Sequence, residues 1–253
     1  MNEDFYTADE MMTIAAAREL SDDTVCFVGI GLPSIAANLA RRLHAPNCVL
    51  LYESGTIGAK PTVLPLSIGD GELADTADAV VSLNEIFTYW LQAGRIQVGF
   101  LGAAQIDRFG NVNTTVIGPY DKPSVRLPGA GGAPEIASSC GRVIVTLRHR
   151  RLAFVERVDF ITTVGYLTGK DARARLGLPG KGPTMVISDL GVLEPSPEDN
   201  ELVLTAVHPG VRVDEVIAAT GWPLRISQEL STTGAPSELE LKTLRSLQSA
   251  SED

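Results

Sequence analysis

The stretch LLYESGTIGAKP, residues 50–61, ends an apolar run on a single carboxylate, Glu53, and then breaks into glycine and proline. A charged group beside an apolar strand end loses hydration, so Glu53 is ion-paired, held at the surface, or kept for chemistry. Three further strand ends run into glycine: GIGLP at 29–33, DRFGNVNTT at 107–115 and LPGAGGAPE at 127–135. Glycine permits close backbone approach and bares amide N–H groups, which is the environment a developing oxyanion needs. A carboxylate in that company can attack a thioester carbonyl as a covalent nucleophile and form an acyl anhydride. On residue types alone, this reading and an ion-paired strand-end glutamate both stand.

Other chemistries fit less well. GIGLPS carries the first two glycines of a dinucleotide fingerprint but Ser34 in place of the third, and PGAGGAP lacks the spacing. GLPGKGPT has Gly-Lys without the loop that cradles phosphates. Ser54 follows Glu53, yet no G-x-S-x-G frame surrounds it. His44, His149 and His208 are scattered and read as surface or hydrogen-bonded residues. In DGEL, Asp70 and Glu72 could form an acid/base pair, but a polar turn or subunit contact is the better reading. The glycine sites have plainer readings too: Gly29 and Gly31 as a tight turn, and GNVN as a turn held by its own asparagines.

These residues need a scaffold. A chain of 253 residues, 44% hydrophobic and 21% charged, has ample core for one large domain or two small ones. Its net charge of −10 repels phosphate backbones and anionic membranes, so neither nucleic acid nor membrane is an expected partner. RHRR at 148–151 reads as the solvated end of the strand RVIVTL. Cys26, Cys48 and Cys140 sit in apolar contexts as reduced, buried thiols with no metal site. No signal peptide or membrane anchor is expected from the acidic opening, which places the protein in the cytoplasm.

Apolar strands such as TVCFVG, NCVLLY, VGFLG and RVIVTL alternate with helical stretches such as MMTIAAAREL, PSIAANLARRL and NEIFTYWLQAG. That pattern predicts an α/β fold: an open, mainly parallel layered sheet with helices on both faces, over roughly residues 5–222. No linker or repeat divides it, so residues 1–253 read as a single domain. A polar, partly docked helical tail is expected from about 227, fraying at its end.

In order and spacing, GIGLP, ESGTIG, GAAQIDRFGNVNTT and PGAGGAPE resemble the landmarks of the β subunit of family I CoA-transferases, over nearly the whole chain. The resemblance implies that Glu53 is the catalytic carboxylate of a ping-pong reaction passing through a glutamyl-CoA thioester. It implies a coenzyme A thioester as substrate, no permanently bound cofactor or metal, and an α subunit as partner. It also makes Gly29, Gly31, Gly129, Gly131 and Gly132 candidate oxyanion and CoA-binding positions, with Asn111 or Asn113 as a side-chain donor. Lys122 and Arg126 become candidate counter-ions for a carboxylate or a CoA phosphate. YESG, IGAKPTVLPLSIGDGELA and LGLPGKGP resemble most the members that move CoA from succinyl-CoA to 3-oxoadipate, and nearly as well the glutaconate-type members. A related branch that hydrolyses carbon rings of steroid-derived CoA thioesters lacks the glutamate that this sequence has. A ligand-binding subunit without catalysis on the same fold is the remaining alternative.

Overall fold

Side chains in the central strands point alternately to two faces, and that alternation builds the layers. Cys26, Val28, Leu50 and Tyr52 belong to one buried cluster, while Phe27 and Leu51 between them belong to another. The structure is a computed structural model in which residues 5–249 are described. The acidic start at 1–4 and the end of the expected tail at 250–253 lie outside the described residues.

The chain opens with α1 (Ala8–Ala17), β1 (Val25–Phe27), α2 (Leu32–Leu43) and β2 (Val49–Leu51). Two short strands, β3 (Thr56–Ile57) and β4 (Ala79–Val80), flank α3 (Gly71–Asp75). Then α4 (Leu83–Glu85) runs directly into a π-helix at Ile86–Leu91, and β5 (Val98–Gly102) returns to the sheet. An excursion of β6 (Gln105–Asp107), β7 (Val112–Asn113), β8 (Val116–Ile117) and β9 (Val125–Arg126) precedes α5 (Ala133–Ser139). The remainder is β10 (Arg142–Thr146), β11 (Phe154–Val155), α6 (Ala172–Arg175), β12 (Pro183–Ile187), β13 (Gly191–Pro195), β14 (Leu202–Val207), α7 (Val213–Ala219), β15 (Arg225–Thr232) and α8 (Glu238–Ser249).

The main sheet has the order β15-β14-β13-β12-β10-β5-β1-β2-β3-β4. Its centre, β2 to β12, is parallel throughout, as strands joined by helical crossovers must be. Antiparallel pairs appear only toward the margins, where short connections suffice. Helices α1, α2 and α8 cover one face; the π-helix, α5 and α7 cover the other. The expected layered α/β architecture is therefore present.

Local signals place the helices. Thr7 caps α1 through a reciprocal box with Glu10, its hydroxyl accepting from the Glu10 amide at 3.2 Å while Glu10 accepts from the Thr7 amide at 2.7 Å. Pro33 lies in the first turn of α2, where a missing N–H is harmless.

The boundary near 222 and the tail from 227 take a different form in the structure. The stretch read as a polar tail begins inside β15, which pairs in parallel with β14, and continues into α8. Leu241, Leu244 and Leu247 of α8 are fully buried. Two ion pairs clamp α8 to α1: Arg18 to Glu240 at 2.7 Å and Arg245 to Glu10 at 2.6 Å. A three-leucine stripe at helical spacing in a polar stretch is a weak sequence signal, and its docking depends on the groove that α1 and α2 provide.

Candidate active site

Glu53 sits in a short loop between β2 and β3. The Tyr52 amide donates to the Thr56 carbonyl at 3.1 Å, and the Gly55 amide donates to the Tyr52 carbonyl at 3.0 Å. Gly55 has φ +106, and a Cβ there would run into the Val81 carbonyl, so this turn requires glycine. Tyr52, fully buried, points toward α2; its phenol lies 3.1 Å from the Ser34 hydroxyl and accepts from Asn38 Nδ2 at 3.3 Å. Burial pushes that phenol's pKa up, so it stays neutral and serves as a strut tying the turn to α2.

Glu53 takes the opposite face and is half-buried. Its carboxylate has no hydrogen bond or ion pair among the described residues. It leans on the glycine loop: a Cβ built at Gly132 would lie 3.4 Å from Glu53 Cδ, and one at Gly131 would lie 3.9 Å from Oε2. The same Gly132 position is 2.7 Å from Cζ of Phe87, so the missing side chain leaves the room that both groups use. The Ser54 hydroxyl is buried without a partner among the described residues.

The carboxylate borders a cavity of about 480 Å³ between the C-terminal ends of β1 and β5. There the strand order reverses, with β2 on one side of β1 and β5 on the other, which is where open α/β sheets gather ligands. Phe27, Phe100 and Ile136 give it apolar walls, Gly29 and Ile30 one rim, and Pro128–Ala133 another. Glu53 is the one ionisable residue among the described residues lining it. A larger hollow, about 590 Å³, lies between α1 and β15, and none of the glycine-loop residues line it. Arg18 and Glu19 on its wall are engaged with Glu240 and Arg142, and its other carboxylates, Glu194 and Glu229, stand away from the glycine loop and its amides.

The candidate donors separate by what their amides already do. Those of Gly131 and Gly132 have no acceptor among the described residues, nor has that of Gly29, and all three residues line the cavity. Gly131 holds φ +51, which aims the loop into the cavity. Gly129 lines it too, but its amide already donates to the Thr114 carbonyl at 2.8 Å, while its carbonyl accepts from the Thr114 hydroxyl at 2.8 Å. Gly31, with φ +85, is the N-cap of α2 and falls outside the lining.

The expectation that Asn111 or Asn113 supplies a side-chain donor does not survive the geometry. Asn111 Nδ2 donates to both Asp107 oxygens and to the Leu167 carbonyl, and its Oδ1 accepts from the Gly165 and Leu167 amides. Asn113 Nδ2 donates to Gln105 Oε1 at 2.7 Å and to the Val116 carbonyl at 2.6 Å. Both are buried, fully engaged in holding the β6–β7 hairpin, and absent from the cavity wall. Their neighbour Thr114 lines the cavity instead.

Lys122 and Arg126 are off the lining; Arg126 is exposed and lies over the Tyr120 ring, 5.2 Å from its centroid. Asp70 caps α3 through the Glu72 amide, and Glu72 accepts from the Thr62 hydroxyl at 2.8 Å, so this pair fixes a turn. His149 is buried between Ser188 and Thr220, and burial lowers its pKa to about 3. His208 bonds to the Thr233 hydroxyl and the Ser188 carbonyl, and burial lowers its pKa as well. All three cysteines are free and buried, with burial raising Cys48 to about 11 and Cys140 to about 12.

Two residues at the site escape a reading of the sequence. Thr114 follows the GNVN turn directly, so the NTT run is its available signal. Phe87 lies within NEIFTYWLQAG, whose even helical pattern hides the π-helix.

The sequence pattern of the family described as Coenzyme A transferase matches residues 9–219. The chain is 61% identical over 243 residues to a 3-oxoadipate CoA-transferase subunit from Pseudomonas knackmussii, covering 96% of this chain and 94% of that one. It is 35% identical over 249 residues to a glutaconate CoA-transferase subunit from Acidaminococcus fermentans, covering 95% and 91%. The crystal structure of glutaconate coenzyme A-transferase from that organism superposes with a TM-score of 0.89 at 33% identity, covering 96% of this chain and 94% of that one. With a glutamate at the switch point of the same sheet and a family match across most of its length, this chain belongs to the coenzyme A transferase family.

Proposed function

We propose that the chain is the glutamate-bearing subunit of a CoA-transferase that moves CoA from succinyl-CoA to 3-oxoadipate, with Glu53 as the covalent nucleophile. One observation supports this most: among the described residues the Glu53 carboxylate has no partner and the neighbouring glycine amides no acceptor, on the wall of a cavity whose other described lining residues are not ionisable. An oxygen of Glu53 adds to the donor thioester carbonyl, the C–S bond breaks, and CoA leaves as the thiolate. That thiolate attacks the glutamyl carbonyl of the anhydride, releases succinate, and leaves Glu53 as a CoA thioester. The acceptor carboxylate then runs the two steps in reverse. Charge develops on a carbonyl oxygen at each addition, and the amides of Gly131 and Gly132, in the loop that lies against Glu53, are the donors we assign to it. Coenzyme A passes through as substrate, and no permanent cofactor is required.

The identity to a 3-oxoadipate CoA-transferase subunit favours that acceptor over glutaconate. The assay is succinyl-CoA with 3-oxoadipate, read as formation of the 3-oxoacyl-CoA, against acetyl-CoA with glutaconate. Faster turnover of the second pair would transfer the chain to the glutaconate type. For the nucleophile, the assembled enzyme is incubated with acyl-CoA, reduced with borohydride, and its peptides mapped by mass. Modification at Glu53 is the expected result; modification elsewhere sinks the assignment.

The partner we infer is an α subunit that closes the cavity. The loop after β3 bares Val63, Leu66 and Ile68, Leu66 being 82% exposed, and Ile68 borders the cavity itself. An apolar rim beside an open site suits burial under a second chain, which would expel water from the reacting groups. With β15 and α8 built into the same core, we read the chain as one domain acting in the cytoplasm. Purified by itself it should fold and turn over little; robust transfer by the isolated chain would remove the need for a partner.

A further inference from the structure

A glutamyl thioester has one persistent competitor for its proper acceptor, and that is water. Hydrolysis forms a bond from the water oxygen to the glutamyl carbon and breaks the C–S bond. CoA then leaves as the thiol, and Glu53 returns as the carboxylate with one proton going to solvent. A transferase must therefore seal the side of Glu53 that faces away from its substrates.

From the Phe87 ring beside Gly132 we infer that Phe87 is that seal, a positioning residue that sets the partition between transfer and hydrolysis; this rests on the glutamyl intermediate proposed above. Phe87 Cζ and Cε1 would stand 2.7 and 3.1 Å from a Cβ at Gly132, with Glu53 Cδ 3.4 Å from the same point. The ring is thus wedged against the glycine loop beside the carboxylate. An edge-to-face contact with Phe27, ring centroids 5.9 Å apart, braces it, and Phe27 lines the cavity.

The backbone that delivers it is unusual. Phe87 lies in the six-residue π-helix Ile86–Leu91, closed by the Gln92 amide donating to the Phe87 carbonyl at 2.8 Å and the Arg95 amide donating to the Trp90 carbonyl at 3.0 Å. Such segments are rare and cluster at functional sites, because a widened turn redirects side chains that a regular helix would place elsewhere. Here Ile86 and Leu91 fill the core, Tyr89 is exposed, and Phe87 is turned to the glycine loop. Phe87→Ala would open room for water next to the acylated glutamate, whereas Phe87→Leu keeps an apolar plug.

The test uses the enzyme assembled with its partner subunit and succinyl-CoA as the probe. Free thiol released without acceptor reports hydrolysis, and product formed with 3-oxoadipate reports transfer. Borohydride trapping at Glu53 confirms that the intermediate forms. Phe87→Ala should raise the hydrolysis-to-transfer ratio about tenfold or more, with Phe87→Leu close to the parent enzyme. A general loss of structure would lower both rates together and leave their ratio unchanged. An unchanged ratio in Phe87→Ala, with the adduct still trapped at Glu53, overturns the seal alone. Failure to trap any adduct at Glu53 in the parent enzyme overturns the nucleophile assignment, and the seal with it.

Discussion

Glu53 and Asp107 look alike in the sequence and have opposite fates in the structure. Each is an acidic residue at the end of an apolar strand, followed within a few positions by glycine: YESG in one case, DRFG in the other. Asp107 is buried, and its oxygens accept from the amides of Phe109 and Asn111 at 3.0 and 3.1 Å and from Asn111 Nδ2 at 3.0 and 3.1 Å. Glu53 accepts from none of the described residues. Burial still pushes the Asp107 pKa up, with the Asn111 and Phe109 donors pulling against it. A carboxylate surrounded by donors holds a hairpin; a carboxylate deprived of them keeps its lone pairs for an incoming carbonyl.

That difference can be broken from either side. The largest effect is expected at Glu53. Replacing it as Glu53→Gln keeps the shape and removes the nucleophile, so transfer should fall by at least about a thousandfold while the melting temperature stays put. Activity near that of the parent would show that the free carboxylate is idle.

Asp107→Ala should do the reverse. It strands three donors in the interior and should lower stability by about 2–4 kcal/mol, read from denaturant melts. The fraction that remains folded should still transfer CoA; a specific loss of turnover without loss of stability would put Asp107 in the chemistry.

Gly132→Ala probes the space beside Glu53. Gly132 has φ −82, so the backbone accepts alanine, but the new methyl would meet Phe87 and crowd the carboxylate. Turnover should drop by about ten- to a hundredfold with little change in melting temperature.

The smallest effect is in pH dependence. His149, held near 3 in the folded chain, rises to its ordinary value of 6.5 when unfolded. Its contribution to stability is therefore intact above about 6.5 and is lost as pH falls from there toward 3. The slope is at most about 1.4 kcal/mol per pH unit, and His208 adds in the same direction. Glu240 acts lower down. Burial pushes its pKa up, but Arg18 and Ser237 prevail and bring it to about 2, so its share is lost only as pH falls from 4.5 through 2. Melts between pH 7 and 5.5 isolate the histidines, and His149→Gln should flatten that interval.

Much of the fold could be read directly. Strand and helix alternation gave the layers, and the ordered glycine landmarks gave the family. The site was legible only in part. Glu53 and the 127–135 loop stood out, yet Asn111 looked like a free donor although its Nδ2 is taken by Asp107, four residues earlier, and by the distant Leu167 carbonyl. Gly129 looked equivalent to Gly131 until Thr114 took its amide. The polar stretch after 227 suggested a partly docked helix but gave no sign that β15 would pair with β14.

Whatever depends on neighbours along the chain was already written in the residue order: periodicity, caps, the glycine at Gly55, and the set of residues able to do chemistry. Which members of that set remain free was left to the folded chain. A buried polar group is satisfied by whatever the fold brings within about 3 Å, and some of those partners, such as Leu167 for Asn111, come from distant segments. Phe87 and Gly132 meet beside Glu53 because the π-helix and α5 pack on the same face of the sheet. No local pattern encodes that meeting.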